Sequence, residues 1–145
     1  MPALEKAFQD VDIVFHIAGV VTGKTEEAFM NGNVEMTRNV LEACLKAPNL
    51  KKVLVTSSLA AAGPTKAGKP LRESDPEKPI NWYGFSKKAQ EDLAASNMDR
   101  LPIVLVRPPA VYGERDTELY IFFNTINKGL FTKVGFNKKS LSMVH

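Results

Sequence analysis

The sequence holds few of the residues from which disulfides or thiolate metal sites are built. Cys44 is the only cysteine among 145 residues, so neither a disulfide nor a cysteine-based zinc site can form within the chain. It falls on the inward stripe of a predicted helix, which favours a core position over a reactive thiol. We predict no metal site.

Long apolar runs and a strong charge of one sign are also missing. No window approaches the roughly 18 apolar residues of a membrane span, and residues 1–6 carry no apolar run of signal-peptide length. The formal net charge of +3 is too small to indicate nucleic-acid binding. We therefore expect a cytoplasmic protein that binds neither membranes nor nucleic acid.

Acidic residues are absent from the last part of the chain. None follows Glu118, whereas four lysines do: Lys128, Lys133, Lys138 and Lys139. Such a basic segment could face an anionic substrate, but the composition favours a solvated loop face.

What is present is an alternation of strand and helix signals. Apolar runs of strand length lie at 11–17, 52–56 and 102–106; helical spacing occurs at 4–8, 25–46, 82–98 and 117–127; 63–79 and 107–116 have the composition of loops. The strands are consecutive apolar residues without alternation, which suits a parallel sheet covered on both sides. We predict an α/β fold, an open parallel sheet with helices on both faces.

Ligands on open parallel sheets bind beyond the carboxyl ends of the strands. In this sequence those ends are followed by 16–24, 56–63 and 107–116. Functional residues are expected in these three segments.

The first of these segments contains a match to a phosphate-binding loop, Ala18–Thr25, "AGVVTGKT". The β-branched residues in its interior resist the positive φ angles that curl backbone N–H groups around phosphates. The strands "KVLVTSS" and "PIVLVRPP" also lack the carboxylate that would hold magnesium. A nucleotide triphosphatase that uses Lys24 therefore stays a remote alternative.

A stronger signal combines two hydroxyl-bearing segments. Tyr83 and Lys87 lie four residues apart, on one face of the first turns of a predicted helix. The lysine cation and the positive end of the helix dipole both favour the phenolate over the phenol. The pair is common by chance, but together with the sequence 56–58, "TSS", at the end of the second strand it is much more specific.

These residues belong to a longer series of motifs. They are "DIVFHIAG", "NVEMTRNVLEAC", "KVLVTSSLAAAG", "YGFSKKAQE", "VRPPAVYG" and the final "SLSMVH". In this order and spacing the chain resembles the extended short-chain dehydrogenase/reductases, the NAD-dependent epimerase/dehydratase group. That resemblance implies a Rossmann-like fold and NAD or NADP as cofactor.

The resemblance also implies residue roles. Tyr83 would be the general acid/base on the substrate oxygen, Ser58 would hydrogen-bond the same oxygen, and Lys87 would hold the nicotinamide ribose. The remaining residues of the cofactor cleft would be Ile17, Ala18, Gly19, Asn33, Thr56, Pro108 and Val111. His16 would be a structural residue at a strand end rather than a ligand.

The chain departs from the family pattern at its start. No Gly-x-x-Gly-x-x-Gly lies before Val11, so we read the chain as an internal fragment: 1–115 the C-terminal part of a dinucleotide-binding domain and 116–145 the start of the substrate-binding portion. We expect the chain alone to bind NAD(P) weakly or not at all, and micromolar affinity in isothermal titration would refute this. The open sheet edge predicts a homo-oligomer, and a monodisperse monomer in sedimentation would count against it.

The expected activity is that of an NAD(P)-dependent oxidoreductase, epimerase or dehydratase acting on a hydroxyl or keto group of a small molecule. Sugar-nucleotide enzymes of the family often carry Asn where this chain has Ala110, so the chain looks closer to the 3β-hydroxysteroid dehydrogenase and dihydroflavonol reductase branch. The alternative is a non-catalytic, dinucleotide-sensing or interaction protein of the same fold. Its mark would be a broken catalytic set, yet Ser58, Tyr83 and Lys87 are all present.

Overall fold

The structure is a computed structural model that describes residues 2–65, 69–131 and 140–145. The chain forms two compact units. One contains the described residues of Met1–Thr65 and Leu71–Pro108, and the other those of Lys66–Pro70 and Pro109–His145. The division of roles predicted at residues 115 and 116 stays a prediction.

The first unit is built on a parallel sheet. Its three strands are β1 (Ile13–His16), β2 (Lys52–Thr56) and β3 (Ile103–Val106), in the order β1-β2-β3. Val14 pairs with Val53, and Val53 pairs with Ile103. The parallel sheet predicted from the three apolar runs is therefore confirmed, each observed strand lying within its run.

Helices precede the first strand and connect the strands, and parallel pairing requires such connections. They are α1 (Pro2–Ala7), α2 (Glu26–Phe29), a π-helical segment (Met30–Glu35), α3 (Met36–Cys44), α4 (Leu59–Ala62) and α5 (Trp82–Ala95). The helix predicted over 25–46 corresponds to α2, the π-helical segment and α3 together. The short helix α4 was not predicted, because four residues of small side chains carry no periodic pattern.

The core lies on one face of the sheet. Val14, Val53 and Val55 point into a buried cluster with residues of α3 and α5, including Cys44. Burial raises the pKa of the Cys44 thiol to about 11, so the thiol is protonated and packs as an apolar side chain, as predicted.

The opposite face of the sheet is open in the part of the chain that the structure describes. Phe15 is 63% exposed, and Ile13, Val104 and Val106 are also exposed. The helices α1, α3 and α5 all contribute to the cluster on the other face. In the described residues the expected helical cover is therefore seen on one face only, because an apolar run shows that a strand is suited to burial and not which element covers it.

The second unit contains a small parallel pair and one longer helix. Strand β4 (Ala110–Val111) pairs with β5 (Met143–Val144), and α6 (Glu118–Asn127) lies between them in sequence. The Tyr112 ring contacts those of Phe123 and His145, with centroids 5.9 and 5.2 Å apart. The helix predicted at 117–127 is confirmed, whereas β4 lies in a segment predicted as loop.

Two expectations about the surface, a basic C-terminal segment and the absence of a membrane span, can be compared with the described residues. Lys128 is exposed, but Lys133, Lys138 and Lys139 lie outside the described residues, so the basic segment remains a prediction. Within the described ranges, no helix combines the length and the apolar character needed to cross a bilayer.

Candidate active site

The carboxyl ends of the strands in the first unit are joined by hydrogen bonds. Ser57 N donates to Val106 O at 2.8 Å, and Leu59 N donates to Pro108 O at 3.1 Å. These bonds hold the segment after β2 against the segment after β3. The functional residues predicted in 56–63 and at Pro108 are thus brought to one place.

The helix α5 presents Tyr83 and Lys87 at this edge. Its N-cap is Asn81, whose Oδ1 accepts from Gly84 N at 2.8 Å, which fixes where the first turn begins. Tyr83 is half-buried, and its ring centroid lies 6.2 Å from that of Phe29. Lys87 is one turn further on and is 3% exposed.

Lys87 is the centre of the site. Its Nζ donates to Thr56 O and to Gln90 Oε1, both at 2.9 Å. Burial lowers the pKa of Lys87, and Glu91 partly opposes that effect. An ammonium has three N–H donors, so one remains without a partner among the described residues.

The backbone at Gly19 approaches Lys87 closely. A Cβ added to Gly19 would lie 3.4 Å from Lys87 Nζ and 2.8 Å from Asn33 Oδ1. Ile17, Ala18 and Gly19 themselves are exposed in the loop after β1. Glycine at this position therefore leaves room beside the ammonium that a side chain would occupy.

Asn33 ties this loop to the helix α5. It is fully buried in the π-helical segment, a kind of helical irregularity that is frequent at functional sites. Its amide accepts from Val20 N at 2.8 Å, and donates to Val20 O at 3.0 Å and to Ser86 Oγ at 2.9 Å. Ser86 Oγ in turn donates to Tyr83 O at 2.8 Å.

The same contacts weaken the phosphate-loop alternative. The Val20 N–H, which such a loop would direct at phosphate, is bound to Asn33. Thr25 accepts from Ala28 N and caps α2. Lys24 is exposed. The Val20 N–H is thus bonded within the protein and is not available to a phosphate.

Two serines end the second strand in different environments. Ser58 Oγ accepts from Ala60 N at 3.1 Å and caps α4, which leaves its own O–H free to donate. Ser57 is 2% exposed, and its Oγ has no hydrogen-bond partner among the described residues. A buried hydroxyl without a partner is uncommon and calls for an explanation.

His16 lies in the core rather than at the surface. Its Nε2 is 2.8 Å from Thr37 Oγ1, and it is 4% exposed. Burial lowers the pKa of His16, and the charge of Lys87 lowers it further. These surroundings favour the neutral imidazole, in keeping with a structural role.

An ion cluster that the sequence did not reveal secures the loop before α5. Arg107 donates to both carboxylate oxygens of Glu91, at 2.8 and 2.6 Å, and to Glu77 at 2.7 Å. The hydrogen bond from Arg107 lowers the pKa of Glu77. Beside this cluster is a cavity of about 400 Å³ that Leu59, Leu71 and Leu105 help to line.

The structure brings most of the predicted site residues into the first unit. Lys87 is hydrogen-bonded to Thr56 O, and the Cβ position of Gly19 lies beside Lys87 and Asn33. Tyr83 shares the first turns of α5 with Lys87, and Ser58 caps a helix that packs against α5. Val111 belongs to the second unit. Sequence reasoning missed Gln90 and Ser86, although their spacing of three residues from Lys87 and Tyr83 placed them on the same helix face.

The open features of the site suit the nicotinamide and ribose end of a dinucleotide. They are the third Lys87 N–H and the room beside Gly19. Lys87, Thr56 and the loop backbone of 17–19 would hold that group. A polar lysine donor beside open backbone is what recognition of a ribose needs.

Comparisons with known proteins agree with these features. Residues 1–144 match the 3-beta hydroxysteroid dehydrogenase/isomerase family. A ceramide reductase from Caulobacter vibrioides is 30% identical over 144 residues, which are 99% of this chain and 39% of that protein. The decarboxylating sterol-4-alpha-carboxylate 3-dehydrogenase of Dictyostelium discoideum is 26% identical over 153 residues, 98% of this chain and 46% of that protein.

Solved structures show the same fold. UDP-glucuronic acid 4-epimerase from Bacillus cereus in complex with NAD superposes with a TM-score of 0.76 and 27% sequence identity, over 87% of this chain and 42% of that chain. The predicted Rossmann-like class is therefore confirmed. The chain spans 39% and 46% of the lengths of the two curated relatives.

Proposed function

The chain belongs to the 3-beta hydroxysteroid dehydrogenase/isomerase family, as the match over residues 1–144 shows, and from this premise we propose that it carries the catalytic set of an NAD(P)-dependent oxidoreductase or epimerase. The reaction is hydride transfer at a secondary alcohol or ketone of a small molecule. The observation that carries the proposal is Lys87, buried and bound to Thr56 O, with one N–H left to donate one turn after Tyr83.

In this proposal Tyr83 moves the proton. Its phenol gives a proton to the substrate oxygen when a ketone is reduced, and the phenolate accepts one when an alcohol is oxidised. Lys87 follows Tyr83 by one turn of α5 and holds the nicotinamide ribose in this proposal. The nicotinamide, when bound, accepts or supplies the hydride.

Ser58 would orient the substrate oxygen. Because its Oγ accepts from Ala60 N, its O–H remains available to donate. A donor that is fixed before substrate binds stabilises the developing negative charge on oxygen without reorganising. Ser57 is 2% exposed, and no role in binding or proton transfer is assigned to it.

The substrate we propose is an alcohol on an apolar framework rather than a sugar nucleotide. Two relatives are named for a ceramide and for a sterol carboxylate. Ala110 stands at the position where an amide side chain would contact a nucleotide phosphate, as the family resemblance implies. A methyl group there offers phosphate no hydrogen bond.

The experiment is a turnover assay that follows reduced nicotinamide by absorbance. It uses the longest natural protein that contains this chain, NAD or NADP, and a panel of sterols, long-chain amino alcohols and UDP-sugars. Ser58→Ala is expected to lower kcat by about 100-fold, whereas Ser57→Ala leaves it within a few-fold of the wild type. Equal kcat values for Ser58→Ala and the wild type would contradict the proposal, and turnover of UDP-sugars alone would contradict the substrate class.

A further inference from the structure

The residue that holds Lys87 from inside the protein is Gln90. It lies three residues after Lys87 on α5 and is fully buried. Its Oε1 accepts from Lys87 Nζ at 2.9 Å, and its Nε2 donates to Thr37 Oγ1 at 2.7 Å. Because an ammonium has no acceptor, this contact exists only in one of the two orientations of the amide.

The orientation of the amide is fixed by Thr37. The Thr37 hydroxyl donates to Asn33 O at 2.6 Å, and a carbonyl can only accept. The single hydroxyl proton of Thr37 is therefore used. Its oxygen must accept from Gln90 Nε2, which is the orientation that turns Oε1 toward Lys87.

The same reasoning fixes the proton of His16. Its Nε2 lies 2.8 Å from Thr37 Oγ1. Since the hydroxyl has no proton left to give, the contact requires His16 to carry a proton on Nε2. The three hydrogen bonds that join His16, Thr37, Gln90 and Lys87 therefore each have a single direction of donation.

We propose that Gln90 is a positioning residue for Lys87, locked by Thr37 and His16 in the only orientation that accepts from the Lys87 ammonium. This inference rests on the function proposed for Lys87 above. It goes beyond that function, because it assigns the control of Lys87 to residues that touch neither substrate nor cofactor.

Because Gln90 is neutral, it can position the Lys87 ammonium without offsetting its charge. The charged or titratable groups that act on Lys87 are Glu91 on α5 and His16 on β1. A carboxylate in place of Gln90 would pair with the ammonium and offset its charge. An amide holds the ammonium against Thr56 O by hydrogen bonding and leaves its charge available.

The first test is nuclear magnetic resonance of the wild-type chain with labelled histidine. The ring nitrogen shifts of His16 are expected to show the tautomer protonated on Nε2 at pH 7.5. The tautomer protonated on Nδ1 would overturn the proposal. This readout needs no substitution and no cofactor.

The second test follows the titration of the Lys87 side chain with labelled lysine in Gln90→Glu, Gln90→Met and the wild type. In Gln90→Glu the midpoint is expected to rise by about one pH unit, because an opposite charge within hydrogen-bonding distance favours the ammonium. In Gln90→Met it is expected to fall, because the charged form loses an acceptor. Gln9→Glu, on an exposed residue, is the matched control and is expected to leave Lys87 unchanged.

Failure of this inference can be told from failure of the proposed function. If Lys87 has the wild-type midpoint in both Gln90 variants while Ser58→Ala lowers kcat as predicted, the positioning role is overturned and the function stands. If the Lys87 midpoints move as expected while Ser58→Ala has full activity, the function falls and the positioning role stands. Should Gln90→Met fail to fold, Gln90→Glu and the His16 tautomer still decide the result.

Discussion

At the residue scale, the site is made of polar side chains that burial forces to satisfy one another. Asn33, Thr37 and Gln90 are all fully buried, and each has partners at hydrogen-bonding distance. A buried polar group without a partner costs about 1–3 kcal/mol. Any movement that broke these hydrogen bonds would incur that cost, so the residues stay in place. The position of Lys87 follows from that constraint.

His16 gives this network a measurable dependence on pH. Its pKa in the folded protein lies below the ordinary 6.5, first because of burial and then because of Lys87. The unfolded chain therefore binds more protons between these two values, and stability is lost as pH falls through 6.5 toward the folded pKa. Above 6.5 both states hold a neutral imidazole, and the contribution of His16 no longer changes with pH.

We predict that the free energy of unfolding falls between pH 7.5 and pH 5 and that His16→Gln reduces the slope. The measurement is urea unfolding followed by circular dichroism at half-unit pH steps. His145→Gln is the matched control, because His145 is exposed and belongs to the second unit. The same slope in His16→Gln and the wild type would show that another group titrates.

At the element scale, the placement of α5 depends on how the preceding loop returns to the sheet. Gly63 has φ +81°, and a Cβ added there would collide with the Lys78 carbonyl. Lys78 N also donates to Ala62 O at 2.9 Å. The loop is therefore closed at Gly63 and Lys78, a few residues before the N-cap of α5.

Gly63→Ala is predicted to destabilise the protein by more than about 2 kcal/mol, because the cost of positive φ is about 1–2 kcal/mol and the collision adds to it. Gly129→Ala is the control, since Gly129 has φ +83° with open space around its Cβ position. The difference between the two variants in thermal unfolding isolates the collision. Equal losses would mean that the Lys78 carbonyl moves aside without cost.

The ion cluster around Arg107 ties the same loop to α5 and to the segment after β3 through Glu77 and Glu91. The side chain of Glu91 is 7% exposed, and that of Arg107 is 22% exposed. Removing one partner of a buried pair leaves an uncompensated charge, which typically costs about 3–5 kcal/mol. The hydrogen bonds to Glu91 and Glu77 also raise the pKa of Arg107, so it is charged at every pH of interest.

Arg107→Met is therefore predicted to lower the free energy of unfolding by about 3 kcal/mol. Arg38→Met is the comparison, because Arg38 pairs with Glu35 on an exposed helix face and such pairs contribute about 0.5 kcal/mol. Chemical denaturation of both variants gives the two values. Similar small losses in both would show that Glu91 finds water or another donor.

At the scale of the whole molecule, the sequence was sufficient where the signal was local. The strand 52–56 and the helix beginning at Trp82 follow from an apolar run and from helical spacing, both within a few residues. The contacts of the site are different in kind. Gln90 meets Thr37 across 53 residues, and Arg107 meets Glu77 across 30, and no local pattern specifies such pairs.

The exposed face of the sheet shows a second limit of prediction from sequence. Phe15 and Val104 have the composition of buried strand residues, yet they are exposed in the described structure. Composition reports a preference for burial and does not specify which element covers the residue. The predictions of weak NAD(P) binding by the chain alone and of self-association concern this same scale, and both stay predictions.

The central claim is that Tyr83 performs the proton transfer of an NAD(P)-dependent reaction. The measurement is kcat for hydride transfer by Tyr83→Phe in the longest natural protein that contains this chain, with Tyr120→Phe as control because Tyr120 is 62% exposed on α6. We predict a loss of at least about 100-fold in kcat for Tyr83→Phe and none for Tyr120→Phe. Undiminished turnover by Tyr83→Phe, with the protein folded, would contradict the assignment of the site.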